Sequence, residues 1–172
     1  MKIDETNIIG KVEDSFRACL QRVPFLEIKS LERAVKLGDA CVDIVADVRV
    51  AKHRQRLAIE VKSNGQPRVA RAAVYRLARV LKSDPGLYGV FAAPYISPRT
   101  AEICVQEKIG YLDLAGNCRL AVFVIGINQR PAFFVQLGRL RRHRCRQGVG
   151  AGTQAIGVAI AVFPNHFVRE WT

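Results

Sequence analysis

The chain has 172 residues and a net charge of +12, from 27 Lys and Arg against 15 Asp and Glu. This length suits one well-buried core, and the charge favours a polyanion as partner, although a soluble protein with a solvated basic face has the same composition. The chain has no CxxC pair, signal peptide or apolar run of ~20 residues, so we expect a reduced, cytoplasmic protein without a zinc site or membrane contact.

The first predicted element is a helix. Apolar residues recur at helical spacing over 7–22, and Pro24 follows this pattern. The next segment, 25–36, fits a strand followed by a turn, or a short helix that begins after Ser30. We favour the strand.

Two further strands are predicted as a hairpin. Apolar and polar residues alternate over 41–50, which places Val42 and Ile44 on one face and Asp43 on the other. A second strand pattern spans 56–62. A basic turn at 51–55 joins the two strands.

Helix and strand signals continue after the hairpin. A turn at 64–67, in which Gly65 is free to adopt a positive φ, leads into a helix over 68–81 with one apolar stripe and basic residues elsewhere. The remaining predicted elements are a buried strand at 87–93, a helix from Ser97 to near Gly110, and strands at 111–114, 118–125 and 132–137. This order predicts an α/β fold with a central mixed β-sheet flanked by helices.

The composition changes after residue 137. We expect an α/β domain over 1–137, followed by a basic and then Gly/Ala-rich tail over 138–172 for which the sequence indicates no fold. The basic run RLRRHRCR at 139–146 suits either a phosphate contact or a solvated segment.

Two acids and a lysine of the hairpin could converge at one edge of the sheet. Side chains two apart on a strand point to the same side, so Glu60 and Lys62 share a face, and Asp43 lies on the more polar face of its strand. Hydrolysis of a phosphodiester needs a divalent ion and an activated water, and Mg²⁺ prefers one or two carboxylates. The spacing alone is a loose pattern, and two solvated strand ends with an ordinary Glu60–Lys62 ion pair also account for it.

The order of elements adds a resemblance to this pattern. Asp43 and Glu60-Val61-Lys62, on a hairpin that follows a helix and precedes a helix and a strand, resemble the PD-(D/E)XK nuclease superfamily and its restriction-endonuclease-like fold over about residues 7–125. The resemblance implies that Asp43, Glu60 and the Val61 carbonyl bind Mg²⁺ or Mn²⁺, and that Lys62 assists catalysis. It implies a deoxyribonuclease that binds DNA.

A second resemblance favours a different outcome. The segments 60–68 and 93–120 are similar to bacterial proteins of the antitoxin or regulator type in abortive-infection systems. This similarity suits a catalytically silent, DNA-binding regulator on the same fold. The nuclease that the first resemblance implies could be an active homodimer, because two strands are cut most simply with two sites, although the sequence indicates no interface.

Several accessory residues have competing interpretations. Glu13 could match the extra helical acid of some superfamily members, and Gln66 could assist, although a role in the turn explains Gln66 as well. Asp113 and Asn117 could face a ligand or satisfy the backbone of a polar turn. The basic residues expected to contact DNA are Lys52, Arg54, Arg68, Arg71, Arg141, Arg142 and Arg144.

Overall fold

The computed structural model describes residues 5–23, 26–50, 53–123, 131–139 and 156–162. These residues form three helices and eight strands. In chain order the elements are α1 (Glu5–Leu20), β1 (Leu26–Leu37), β2 (Ala40–Val50), β3 (His53–Val61), α2 (Pro67–Ser83), β4 (Leu87–Ala93), α3 (Pro98–Gln106), β5 (Gly110–Asp113), β6 (Cys118–Phe123), β7 (Pro131–Arg139) and β8 (Ile156–Val162).

The strands form one mixed sheet in which the spatial order follows the chain order, β1 to β8. Strands β3 and β4 are parallel, as are β4 and β5, while the other neighbours are antiparallel. Helices α2 and α3 provide the two crossovers that parallel neighbours require. All seven residues of β4 are buried, as expected for a strand covered on both faces. The predicted α/β fold with a central mixed sheet flanked by helices is confirmed.

Helix α1 covers one face of the sheet, and α2 and α3 cover the other. Val12 and Phe16 of α1 are fully buried and belong to one apolar cluster with Ile59. Leu77 of α2 belongs to a second cluster with Phe91 on the opposite face. The buried residues of α2 recur at helical spacing and are Ala70, Ala73, Val74, Leu77 and Val80. The sheet therefore separates two cores.

Two predictions for the first three strands have different outcomes. The segment predicted as a strand at 25–36 is β1, as favoured. The predicted basic turn at 51–55 is wrong over 53–55, because these residues already pair with 48–50 in the β2–β3 ladder. Arg54 and Arg56 are exposed and Gln55 is buried, so this strand alternates with polar residues on both faces. Strands are recognised in a sequence by alternating apolar and polar residues, so a segment with polar residues on both faces is not predicted as a strand.

Strand β8 lies within the segment 138–172, for which the sequence indicated no fold. It pairs antiparallel with β7 from Ile156 beside Arg139 to Val162 beside Phe133. The division of the chain after residue 137 stays a prediction. Of the basic run at 139–146, the residues after Arg139 lie outside the described part of the chain.

Candidate active site at the ends of β2 and β3

Strands β2 and β3 part at the candidate site. Their paired register ends with Ile44 opposite Ile59, while β2 continues beside β1 and β3 continues beside β4. Beyond this point a side chain, and not the backbone of β2, provides the contact to β3. The Oδ2 of Asp43 accepts a hydrogen bond from the Val61 backbone N–H at 2.7 Å. The backbone of β3 therefore fixes the Asp43 carboxylate.

The regular alternation of side chains between the two faces of β2 is also interrupted at Asp43. Side chains two apart on a strand share a face, yet Val42 packs in the apolar cluster of α2 and Ile44 packs in that of α1. The prediction that both lie on one face is therefore wrong at Val42. Ala34 of β1 lies between the partners of these two residues and has a φ of 50°. This left-handed conformation is uncommon outside glycine and accompanies the local distortion of the strand pair.

Glu60 is the most deeply buried acid of the site, with no exposed surface. Its neighbours Ile59 and Val61 point into the α1 core, and Glu60 points to the α2 side of the sheet. A buried carboxylate is costly unless cations or donors surround it. Here Oε1 lies 2.6 Å from Lys62 Nζ and 3.2 Å from Arg76 Nη1, whereas the buried Oε2 has no hydrogen-bond partner among the described residues.

The ammonium of Lys62 stands among the three groups that were predicted to bind a metal ion. Its Nζ lies 2.6 Å from Glu60 Oε1, 3.1 Å from the Val61 carbonyl oxygen and 3.9 Å from Asp43 Oδ2. The Lys62 side chain is one-third exposed, which leaves it open to solvent on one side. The structure thus brings Asp43, Glu60, Val61 and Lys62 together.

Arg76 is a member of the site that the sequence did not reveal. It reaches from α2 to donate one hydrogen bond to Glu60 and another to the carbonyl of Cys41 on β2. Its guanidinium therefore links β2 and β3 where the two strands part. In the sequence Arg76 is one of several basic residues outside the apolar stripe of α2, and no local pattern distinguishes it. We call Asp43, Glu60, Lys62 and Arg76 the charged cluster.

The oxygen atoms of the charged cluster fit a hard divalent ion. Two carboxylates and the Val61 carbonyl are the donors that Mg²⁺ accepts while it keeps several waters. The unpartnered, buried Oε2 of Glu60 is available as a ligand. In the described part of the chain, no three side chains of His, Cys, Asp or Glu lie together as a metal-ligand set. An ion at this site would consequently depend on the backbone carbonyl and on water.

The structure does not bring Glu13 to the charged cluster. Glu13 lies on α1, which packs on the opposite face of the sheet from Glu60. Its carboxylate accepts two hydrogen bonds from Arg33 of β1, at 2.6 and 2.7 Å. These bonds hold the pKa of Glu13 below its usual value. Glu13 is therefore a link between α1 and the edge strand β1.

The turn after β3 gives Gln66 a structural position. Gln66 is exposed, stands immediately before α2 and donates its backbone N–H to Asn64 Oδ1 at 2.8 Å, while its side chain makes no cap. Gly65 does not use the freedom of glycine to adopt a positive φ. Glycine is required there for space instead, because a Cβ would lie 2.0 Å from the Tyr95 carbonyl oxygen. The Gly65 carbonyl also accepts a hydrogen bond from Thr100, which ties this turn to α3.

The predicted DNA-contacting residues occupy different regions. Arg68 and Arg71 are exposed in the first turns of α2, a helix with no acidic residue. Arg54 is exposed on β3, but six residues along the strand separate it from Glu60, roughly 20 Å. The side chains that lie outside the described residues are those of Lys52, Arg141, Arg142 and Arg144.

Asp113 serves the turn between β5 and β6. Its buried carboxylate accepts hydrogen bonds from the backbone N–H groups of Ile96, Ala115 and Asn117, and from the Asn117 side chain at 2.8 Å. These donors confirm the interpretation of 113–117 as a self-satisfied polar turn. They also attach that turn to the segment before α3.

The sequence matches no protein-family model and no curated protein. Solved structures with a similar arrangement include a repair endonuclease from Pyrococcus abyssi, with 15% identity and a TM-score of 0.41 over 59% of this chain and 46% of that one. EndoMS in a complex with double-stranded DNA has 14% identity and a TM-score of 0.41 over 60% and 44% of the two chains. EndoMS in its apo form has 12% identity and a TM-score of 0.37 over 59% and 45%. The chain matches less than half the length of each.

Among the described helices, none has the length and apolar character to cross a membrane.

Proposed function

We propose that the protein is a Mg²⁺- or Mn²⁺-dependent deoxyribonuclease of the PD-(D/E)XK type, with its active site at the charged cluster. The observation that carries this proposal is the position of Lys62 Nζ, which lies 2.6 Å from Glu60 Oε1 and 3.9 Å from Asp43 Oδ2. Residues 17 positions apart in the chain supply the two carboxylates, and one lysine contacts both. This is the combination of groups that metal-assisted phosphodiester hydrolysis needs.

Each residue of the cluster has a defined role in this proposal. Asp43, Glu60 and the Val61 carbonyl would hold the ion, which when bound polarises a phosphate oxygen and activates water. The Val61 N–H orients the Asp43 carboxylate at 2.7 Å. Lys62 Nζ lies beside both carboxylates, where it would orient the attacking water and stabilise developing negative charge.

DNA is the proposed partner because of the charge of the whole chain and of α2. The net charge of +12 attracts polyanions. Arg68 and Arg71 are exposed on α2, the helix that also contributes Arg76 to the charged cluster. Phosphate contacts on α2 would bring the DNA backbone toward Lys62. Lys52 and Arg54, together with Arg141, Arg142 and Arg144, are proposed as further contacts along the bound DNA.

A catalytically silent DNA-binding regulator on the same fold is the second candidate. One observation favours it, because Lys62 and Arg76 both pair with Glu60. The charged cluster thus contains two acids and two bases and is balanced without an ion. A site balanced in this way has less need of a metal than two unpaired carboxylates would have.

A cleavage assay distinguishes the two candidates. Supercoiled plasmid and a single-stranded oligonucleotide are incubated in Mg²⁺ or Mn²⁺ with the wild type, Lys62→Ala and Asp43→Ala. The nuclease proposal expects the wild type to cut at least one substrate and each variant to lose about 10²-fold or more of the rate. Binding of DNA by the wild type without cleavage in either ion would reject the nuclease and favour the regulator.

DNA binding has a separate test that does not depend on cleavage. Affinity for a duplex oligonucleotide is measured without divalent ions over a range of NaCl concentrations. Because each neutralised phosphate releases counterions, log Kd is expected to rise with log salt by about 0.9 per phosphate contact. An affinity that does not change with salt would reject a phosphate-contacting surface.

A further inference from the structure

The two carboxylate oxygens of Glu60 have unequal contacts. Oε1 contacts both Lys62 and Arg76, at 2.6 and 3.2 Å, while Oε2 is buried without a hydrogen-bond partner in the described structure. Arg76 is also anchored at a second point, the Cys41 carbonyl of β2. The guanidinium is thus fixed by two strands beside the carboxylate that would bind a metal ion.

A divalent ion and Arg76 compete electrostatically at this carboxylate. The formal charges of the four groups in the charged cluster cancel, so an arriving ion meets two cations as well as two carboxylates. Charges held near a buried carboxylate interact through a lower effective dielectric than water, and like charges there repel strongly. The ion is therefore expected to bind more tightly when one of the two cations withdraws.

Arg76 is the cation that can withdraw without disturbing the strand. Lys62 directly follows β3, where its backbone N–H donates to the Ala92 carbonyl of β4 and its Nζ contacts the adjacent Val61 carbonyl. Arg76 reaches the cluster from α2, and its side chain is half exposed, at 49%. Its guanidinium can move into water without removing the strand pairing, because Cys41, whose carbonyl it would leave, is also paired with Lys36 of β1.

We propose that Arg76 is a positioning residue that competes with a divalent ion for Glu60 and thereby lowers the metal affinity of the site. This inference rests on the proposed assignment of Asp43 and Glu60 as metal ligands. In the absence of an ion, Arg76 compensates the buried charge of Glu60 and holds its side chain in place. When an ion binds, Arg76 gives up the carboxylate and its guanidinium becomes free to contact a phosphate.

The test measures Mn²⁺ binding by electron paramagnetic resonance, without DNA, to the wild type, Arg76→Gln and Arg79→Gln. Arg79→Gln is the matched control, since it removes the same charge from the exposed surface of the same helix. Arg76→Gln is expected to bind Mn²⁺ about tenfold more tightly than the wild type, and Arg79→Gln to stay within about twofold, because Arg76 is the one of these two arginines that contacts Glu60. Circular dichroism verifies that each variant is folded.

Arg76→Lys provides a second variant in case the amide does not support folding. It keeps the charge, but an ammonium cannot reproduce the forked contacts to Glu60 and the Cys41 carbonyl. Its Mn²⁺ affinity is expected to lie between those of the wild type and Arg76→Gln. An Arg76→Gln protein with unchanged or weaker Mn²⁺ affinity would overturn the inference. Equal tightening in Arg76→Gln and Arg79→Gln would also overturn it, since that result reports only the net charge.

Failure of this inference is distinguishable from failure of the proposed nuclease. Wild-type protein that cuts DNA while Arg76→Gln leaves the Mn²⁺ affinity unchanged would remove the competition and retain the nuclease. Tighter Mn²⁺ binding by Arg76→Gln, with no cleavage by any protein, would support the competition and reject the nuclease. Absence of Mn²⁺ binding in all three proteins would reject the metal site on which both rest.

Discussion

Asp43 combines two tasks at the residue scale. Its carboxylate satisfies the Val61 N–H at the point where β2 and β3 part, and the same oxygen faces Lys62. The first task concerns stability and the second concerns chemistry. Substitutions that preserve or remove the hydrogen-bond acceptor can therefore separate the two.

We predict that Asp43→Asn is more stable than Asp43→Ala. The asparagine carbonyl can still accept the Val61 N–H, whereas alanine leaves this donor unpaired, at a cost of about 1–3 kcal/mol. Both variants remove the carboxylate and are expected to lose cleavage equally. Urea unfolding gives the stabilities. Equal unfolding free energies for the two variants would show that the hydrogen bond to Val61 contributes nothing.

Glu13 gives the fold a pH-dependent contact. The hydrogen bonds from Arg33 lower the pKa of Glu13 in the folded state, so the unfolded chain binds this proton more readily. The stabilisation is therefore complete above the unfolded pKa, about 4.3, and is lost as the pH falls through the lower folded pKa.

Glu13→Gln is predicted to lower the unfolding free energy by about 1 kcal/mol at pH 7. The difference from the wild type should shrink progressively as urea unfolding is repeated toward pH 3. Glu32→Gln, an exposed acid beside Arg33, makes the same change in charge and is the control. A deficit in Glu13→Gln that is as large at pH 3 as at pH 7 would contradict this linkage.

The candidate site shows which residues the sequence could predict. Glu60 lies on β3 and Lys62 is the first residue after it, so their shared face follows from the alternation of side chains in an extended chain. The face on which Val42 lies could not be predicted in the same way, because β2 is distorted beside Ala34. Nothing in the sequence indicates that Ala34 adopts a positive φ. Arg76 could not be found because its contact depends on how α2 packs against the sheet, which is set by tertiary structure.

Contacts at their N-terminal ends position helices α2 and α3. Helix α2 begins after the turn in which Gly65 packs against the Tyr95 carbonyl, and α3 begins with Ser97 accepting the Thr100 N–H. These signals were present in the sequence as glycine, serine and proline. The end of α3 was less clear in the sequence, since the residue that stops it is Lys108 with a φ of 57°.

Lys108→Gly is predicted to stabilise the protein by about 1 kcal/mol. Lys108 is exposed and closes α3 by donating its N–H to Val105, while Ile109 donates to Cys104, a pattern that glycine favours. Urea unfolding measures the gain. Glu107→Gly is the control, because Glu107 has a φ of −89° and should lose stability on the same replacement. A destabilised Lys108→Gly would contradict this account of the helix end.

The order of helices and strands in the whole fold can be predicted from the sequence, whereas the sheet edge formed by β8 cannot. Alternating periods of helix and strand indicated the mixed sheet, and the apolar run of β4 marked its buried centre. Strand β8 was not predicted because its Gly and Ala residues give only a weak alternation of apolar and polar side chains. The strand is defined by its backbone pairing with β7, which the sequence does not reveal.

The proposed metal site consists of Asp43, Glu60 and the Val61 carbonyl. Anomalous scattering from crystals soaked in Mn²⁺ would locate a bound ion, with the wild type and Arg76→Gln soaked in parallel. We predict one peak in contact with all three groups, with higher occupancy in Arg76→Gln. Saturating Mn²⁺ that gives no peak at these groups in either protein would contradict the claim.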